Sequence, residues 1–289
     1  MRKMFSRQLV EARHEMLSIY ESIDLTLHDA VRAFVSGDKA LAKEAEKATL
    51  QIEARCDNLE AVCYNLISMQ GPLASDYRTL QTIVFINFNL QRICDKVHRL
   101  ARAARKKVKR DIELPAELVE LIDREAKSVY RVLGLSISAI VDNDLTVARA
   151  LINQDEPVHE LYEEFFRVYN RTAAPTDASE DDETLDDLRR CIMVARYLDR
   201  IASISIDAAG RITYLLTGQR WSMAEVADAD ADELESMRIP SGEGVILDPA
   251  SDARYVSRLD LDEVDGKLAD LIRDVRSGKA PKQAEGDAE

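Results

Sequence analysis

The sequence predicts an all-α protein: two antiparallel three-helix bundles related by internal duplication, followed by an acidic C-terminal extension. Three observations carry that prediction. Residues 188–218 contain no Pro and one internal Gly, and Leu188, Cys191, Ala195, Leu198, Ala202, Ser205, Ala209, Ile212 and Leu216 recur at spacings of three and four. That is the period of a helix burying one stripe, here about 30 residues and ~45 Å long. A second run of the same design covers residues 76–107, and a shift of 108 residues lays Leu90, Arg92, Ile93 and Ala101 on Leu198, Arg200, Ile201 and Ala209. Equal length, equal period and matching residues read as a repeat. Nowhere does the chain show the apolar/polar alternation of a half-buried strand.

The elements follow in order. Residues 5–35 form the first helix on a stripe of Leu9, Met16, Ile19, Ile23, Leu27, Ala30 and Phe34. Ser36-Gly37-Asp38 stops it and restarts the chain, with Gly37 able to take the left-handed cap and Asp38 placed to N-cap the second helix. That helix runs to about Met69, where Gly71-Pro72 breaks it. Ser75 or Asp76 is expected to cap the third helix, which ends in Arg99, Arg102, Arg105, Lys106 and Lys107. Cations there favour the helix macrodipole, and they also offer a surface to an acidic partner or an anionic lipid. Pro115 suits the first turn of a fourth helix. Asp142-Asn143-Asp144 echoes Ser36-Gly37-Asp38, and a fifth helix follows, with a kink expected near Asp155 because Pro157 lies inside it. Residues 172–183 read as a polar loop before the sixth helix. Short links make sequential helices antiparallel neighbours. The domains so defined are residues 1–110, 111–218 and the extension 219–289, expected to be an acidic, mostly solvated and largely flexible appendage in which residues 259–275 could form one more short helix.

Charge separates these parts. The chain of 289 residues has a net charge of −14; from Gln219 onward there are 18 acids against 9 bases, and the preceding 218 residues hold 35 against 30. An acidic balance argues against nucleic-acid binding. No stretch approaches the ~20 uncharged apolar residues of a membrane span, and the N-terminus has no apolar run of signal length, so any membrane association is peripheral at most. Cys56, Cys63, Cys94 and Cys191 show no CxxC spacing and each lies in a helical stripe, as small buried hydrophobes of a protein in a reducing cytoplasm do.

No P-loop, GxGxxG, HExxH or GxSxG motif occurs, and no Ser/His/Asp grouping stands out, so the chain is not expected to be an enzyme. What remains are polar rows one helical turn apart: Asp199, Ser203 and Asp207; Gln91, Asp95 and then His98 or Arg99; Glu53, Asp57 and Glu60; Asp155, His159 and Glu163. Two such rows side by side could share a cation, or they are solvated faces holding i, i+4 ion pairs.

The segments LQRICDKVHRLA and ARYLDRIASISIDAAGRITYLLTG resemble the two signature segments of the PhoU family of phosphate-transport regulators, roughly E-R-I-G-D-x-x-x-N on the third helix of each bundle. Pro72-Leu73-Ala74-Ser75-Asp76-Tyr77-Arg78 is similar to that family's break before the third helix, and Asp155-Glu156-Pro157-Val158-His159 to its D-x-x-V-D on the fifth. The resemblance covers about residues 5–218. It implies a cytoplasmic regulator of phosphate uptake and phosphate-starvation signalling, often a homodimer, acting by contact with the ATPase of an ABC phosphate transporter and with a sensor histidine kinase. On this chain the partner face would use Gln91, Arg92, Asp95, Arg99 and Arg200. Some members hold multinuclear iron or another metal on the carboxylate rows, which here points to Asp95, Asp155, His159, Asp199 and Asp207, with iron or zinc as the ion. The chain departs from the pattern at Gln91 for Glu, Ser203 for Asp, Arg99 and Asp207 for the Asn positions, and Cys94 and Ala202 for the Gly positions. Each cluster has lost a carboxylate, which weakens ion binding. A metal-binding bundle is the alternative function, and a scaffold whose acidic tail recruits a basic partner is a third reading.

Overall fold

A computed structural model describes residues 2–72, 74–172 and 182–239. Among these residues it holds nine helices and no strand: α1 Arg2–Ser36, α2 Lys39–Gln70, α3 Ala74–Lys109, α4 Ala116–Asp142, α5 Leu145–Ile152, α6 Asp155–Thr172, α7 Asp182–Thr217, α8 Met223–Asp228 and α9 Ala231–Ser236. The first bundle is α1, α2 and α3. The second is α4, the α5–α6 pair and α7.

Cross-helix pairs fix the directions. Glu46 of α2 meets Arg105 of α3, and Asn87 of α3 donates to the Cys56 carbonyl at 2.8 Å. Early α2 thus faces late α3, and the two helices are antiparallel. Ser203 with Asp155 and Asp199 with His159 set α6 against α7 in the same sense. The two bundles pack mainly through α3 on α7, with α1 against α4 beside them. One continuous apolar core runs through both, from Leu9, Met16 and Phe34 to Ile93, Val129, Leu198 and Ile212.

The caps work as the sequence signals them. Gly37 sits at φ 74°, in the left-handed region that lacks a steric penalty only for Gly. Asp38 then accepts from the Ala40 and Leu41 amides at 2.9 and 3.0 Å. In the second bundle Asn143 takes the left-handed position at φ 51°, and Asp144 accepts from the Thr146 and Val147 amides. One punctuation device therefore recurs in both repeats.

Four expectations are corrected. The long fifth helix with a kink is two helices, α5 and α6, separated at Asn153–Gln154. A proline ring clashes with the carbonyl four residues back, here Asn153, so the helix restarts and places Pro157 in its first turn, where no amide is needed. The third helix begins at Ala74, so Asp76 lies within its first turn, buried, rather than capping it. Pro115 is the N-cap residue of α4 rather than its first helical one. The start of the acidic extension is folded: Ser222 and Glu225 form a capping box that opens α8, and Val226 and Leu234 are buried as α8 and α9 pack on α5. Arg149 donates to the Ala227 carbonyl, Arg238 to that of Asn143, and the Ile239 amide to that of Leu216. A short S-x-x-E box with two well-spaced apolar residues outweighs an acidic composition once the end of a bundle is there to receive it. Residues 259–275 and most of the expected loop at 172–183 lie outside the described residues.

Candidate functional site

Two polar grooves occupy equivalent places in the two repeats, each between a second and a third helix. The first, of about 80 Å³, is lined by Thr49, Leu50 and Glu53 of α2 and Gln91, Cys94, Asp95 and His98 of α3. His98 Nδ1 lies 2.8 Å from the Thr49 hydroxyl, and the Cys94 thiol donates to the Thr49 carbonyl. Gln91 donates to Asp57 at 2.9 Å. Asp95 accepts from Lys96 at 2.7 Å and from Arg99 Nε at 3.0 Å with both oxygens. Its partial burial acts to raise its pKa, but the Arg99 and Lys96 hydrogen bonds and charges prevail and hold it below the ordinary carboxylate value. Burial above all pushes the Cys94 thiol up to about 12, with Cys56 the next contributor.

The second groove is larger, about 370 Å³, and is lined by Asp155, Glu156, His159 and Tyr162 of α6 and Arg196, Asp199, Arg200 and Ser203 of α7. His159 stands between two carboxylates, with Nδ1 3.4 Å from Asp199 and Nε2 3.6 Å from Glu163. Ser203 donates to Asp155 at 3.3 Å. Behind Asp199, from α4, lies Glu125, wholly buried, with neither side-chain oxygen in a hydrogen bond of standard geometry. Burial first, and then the Asp199 charge, raise its pKa well above the usual value. Sequence reasoning passed over Glu125, although the signal was there: it sits on the stripe Leu118, Leu121, Ile122, Ala126, Val129, where a carboxylate is out of place.

The rows expected to act therefore divide. Asp155, His159 and Asp199 come together in the second groove. Asp207 lies outside it, 3.5 Å from Arg92; burial foremost raises its pKa, tempered by Arg92. Asp95 belongs to the other bundle. Gln91, Arg92, Asp95 and Arg99 form one stripe on α3, and Arg200 lines the groove on α7. Glu156 and His159 form a Glu-x-x-His segment, as Glu11 and His14 do on α1, but the two segments lie in different bundles.

A multinuclear metal centre does not fit this donor set. Asp95 is taken up by Lys96 and Arg99, Asp207 by Arg92, and two arginines line the groove that holds the remaining carboxylates. Among the described residues no three of His, Cys, Asp and Glu are grouped so as to hold an ion.

The comparisons agree with the repeat. The PhoU domain matches residues 16–104 and again 122–212, two segments whose ends are 108 residues apart. The chain is 25% identical over 219 residues to the phosphate-specific transport system accessory protein PhoU homolog 1 of Methanothermobacter thermautotrophicus, covering 76% of this chain and 97% of the relative. It is 22% identical over 233 residues to the PhoU accessory protein of Escherichia coli K12, covering 81% and 91%. Among solved structures it is similar to PhoU from Pseudomonas aeruginosa, with TM-score 0.66, 22% identity and coverage of 74% and 100%. The phosphate transport system regulatory protein PhoU from Streptococcus pneumoniae superposes with TM-score 0.65 and 20% identity, over 75% of this chain and 99% of that one. No helix among the described residues is long and apolar enough to cross a membrane.

Proposed function

The chain belongs to the PhoU family, and from that premise we propose that it is a cytoplasmic accessory protein of a phosphate-specific transport system, which it regulates by contact with the transporter's ATPase subunit and with a sensor histidine kinase, without catalysing a reaction. The relatives' names supply the system: each is a phosphate-specific transport system accessory protein. The observation that carries the mode of action is the way the two signature rows meet. Arg92 of α3 pairs with Asp207 of α7 at 3.5 Å, across the interface between the bundles. The stripe from Gln91 to Arg99 and the groove at Arg196 to Ser203 thereby adjoin in one charged surface. Its side chains are already held by neighbours: Gln91 by Asp57, Asp95 by Arg99, His159 by Asp199. Side chains fixed before a partner arrives lose less entropy on docking. Arginine is also among the residues that dominate protein interfaces.

Arg92→Glu and Arg200→Glu test this surface. Each is expected to weaken capture of the ATPase subunit by about 30-fold, since reversing a central arginine costs ~2 kcal/mol. Asp95→Ala is expected to reduce capture as well, because it frees Arg99 from its two hydrogen bonds to Asp95. Helical circular dichroism identifies the variants that remain folded. Wild-type affinity in all three folded variants would reject this surface.

A further inference from the structure

A seam of arginine and aromatic side chains runs along the contact between α3 and α7. Arg211 lies over the Phe85 ring at 3.6 Å, Arg220 over Tyr214 at 5.7 Å and Arg92 over Phe88 at 5.8 Å. Three of the four arginine- or lysine-over-ring contacts found among the described residues fall here. Phe88 is 54% exposed, large for an aromatic ring on a free surface. Arg211 and Arg220 lie close enough for the charge of one to weigh on the other: burial first, and then Arg220, lower the pKa of Arg211. The seam's acid, Asp207, is taken by Arg92. Against a chain of net charge −14, this is a surface of three arginines beside aromatic rings, with Asp207 as the acid whose charge acts on Arg92 and Arg211.

The chain carries a segment that complements it. Residues 259–275 hold Asp260, Asp262, Glu263, Asp265, Asp270 and Asp274 against Lys267 and Arg273. Leu261, Val264, Leu268, Leu271 and Val275 follow one another at intervals of three and four. That is the sequence pattern of an acidic amphipathic helix, the kind of element that lays its apolar face into a groove. The tether starts beside the seam, because the Ile239 amide bonds to the Leu216 carbonyl, two residues beyond Tyr214. Residues 240–258, with Pro240, Gly242, Gly244 and Pro249, separate the two, and a flexible chain of that length has a root-mean-square span of roughly 25 Å. From Leu216 back to Arg211 along α7 is only ~8 Å. A tether of that length gives the segment a local concentration in the millimolar range.

We propose that residues 259–275 dock as an amphipathic helix on the Phe85–Phe88–Arg92–Arg211–Tyr214–Arg220 seam of their own chain. The leucine and valine face meets the phenylalanine rings. The acids meet Arg211 and Arg220.

The test uses the full chain with the photo-crosslinker p-benzoylphenylalanine in place of Phe88. Irradiation at low salt is expected to link this position to a peptide within residues 259–275 of the same chain, with a yield independent of protein concentration. Arg211→Glu combined with Arg220→Glu should lower that yield at least about tenfold, because like charges facing across a contact cost several kcal/mol. Adding Asp262→Lys, Asp265→Lys and Asp270→Lys to that double variant should restore it, a rescue that a folding defect could not produce. Linkage to a second copy, or to no residue in 259–275, would overturn the proposal, as would a yield unaffected by the charge reversals.

Discussion

Arg13→Met is expected to destabilise the protein by about 3 kcal/mol, seen as a lower denaturation midpoint. Arg13 is a buried charged side chain on α1, 2% exposed. Its guanidinium donates to the Ile140 carbonyl at 2.8 Å and to the Val141 carbonyl at 3.3 Å. Both carbonyls lie in the last turn of α4, where the helix supplies no amide for them. A cation is also favoured at that end of the macrodipole. Arg13 therefore ties the first bundle to the second at a point where water cannot replace it. Methionine fills the space but donates nothing, which leaves two buried acceptors unsatisfied at ~1–3 kcal/mol each. Arg7→Met is the control: the Arg7 side chain is 74% exposed and pairs with Glu11 one turn away, and its loss should stay within about 0.5 kcal/mol. A change below about 1 kcal/mol for Arg13→Met would show that the bundles do not depend on this link.

The second large effect has the opposite sign. Glu125→Met is expected to stabilise the protein by about 1–3 kcal/mol at neutral pH, the range for burying a polar group without hydrogen bonds. Glu125 is wholly buried with neither oxygen in a hydrogen bond of standard geometry, and burial, then the Asp199 charge, raise its pKa well above the normal value against a weaker opposing contribution from the Asp199 backbone. A carboxyl with a raised folded pKa binds more protons folded than unfolded. Its favourable contribution is complete below the unfolded pKa of about 4.3 and is lost as pH rises toward the folded value. The advantage of Glu125→Met should therefore widen from about pH 5 to about pH 8 when denaturation of the two proteins is compared. A constant or shrinking difference over that range would mean that Glu125 is ionised or hydrated in the folded state.

Much of this architecture is written locally. Gly37-Asp38 and Asn143-Asp144 announce two helix boundaries because the left-handed turn and the cap oxygen belong to adjacent residues. The repeat of Leu90, Arg92 and Ile93 at Leu198, Arg200 and Ile201 announces the duplication, because both copies meet the same packing demand. Pro157 was legible as an interruption. Whether it kinks or breaks the helix depends on Asn153, whose carbonyl must escape the ring. The capping box at Ser222 and Glu225 is equally local, but a helix of six residues in an acidic run holds only once Val226 packs on the end of the second bundle.

The site was less legible, for a different reason. Asp95, Asp155, His159, Asp199 and Asp207 are correctly spaced along their helices. What each meets across the groove is set by the neighbouring helix. Asp95 meets its own Arg99 and Lys96, Asp207 meets Arg92 from the other bundle, and Asp199 is backed by Glu125 from a third helix. Arg13 is the extreme case: its partners are carbonyls more than 120 residues away, and no side-chain pattern encodes a carbonyl.

The proposed function has this chain regulating phosphate uptake through its charged α3–α7 surface. The most direct measurement is the initial rate of labelled phosphate uptake in phosphate-replete cells that have lost the chain and are then supplied with wild-type protein or with Arg92→Glu/Arg200→Glu. Uptake is expected to be faster without the chain, to return to the original rate with wild-type protein, and not to return with the folded double variant. Uptake identical with and without the chain would contradict it.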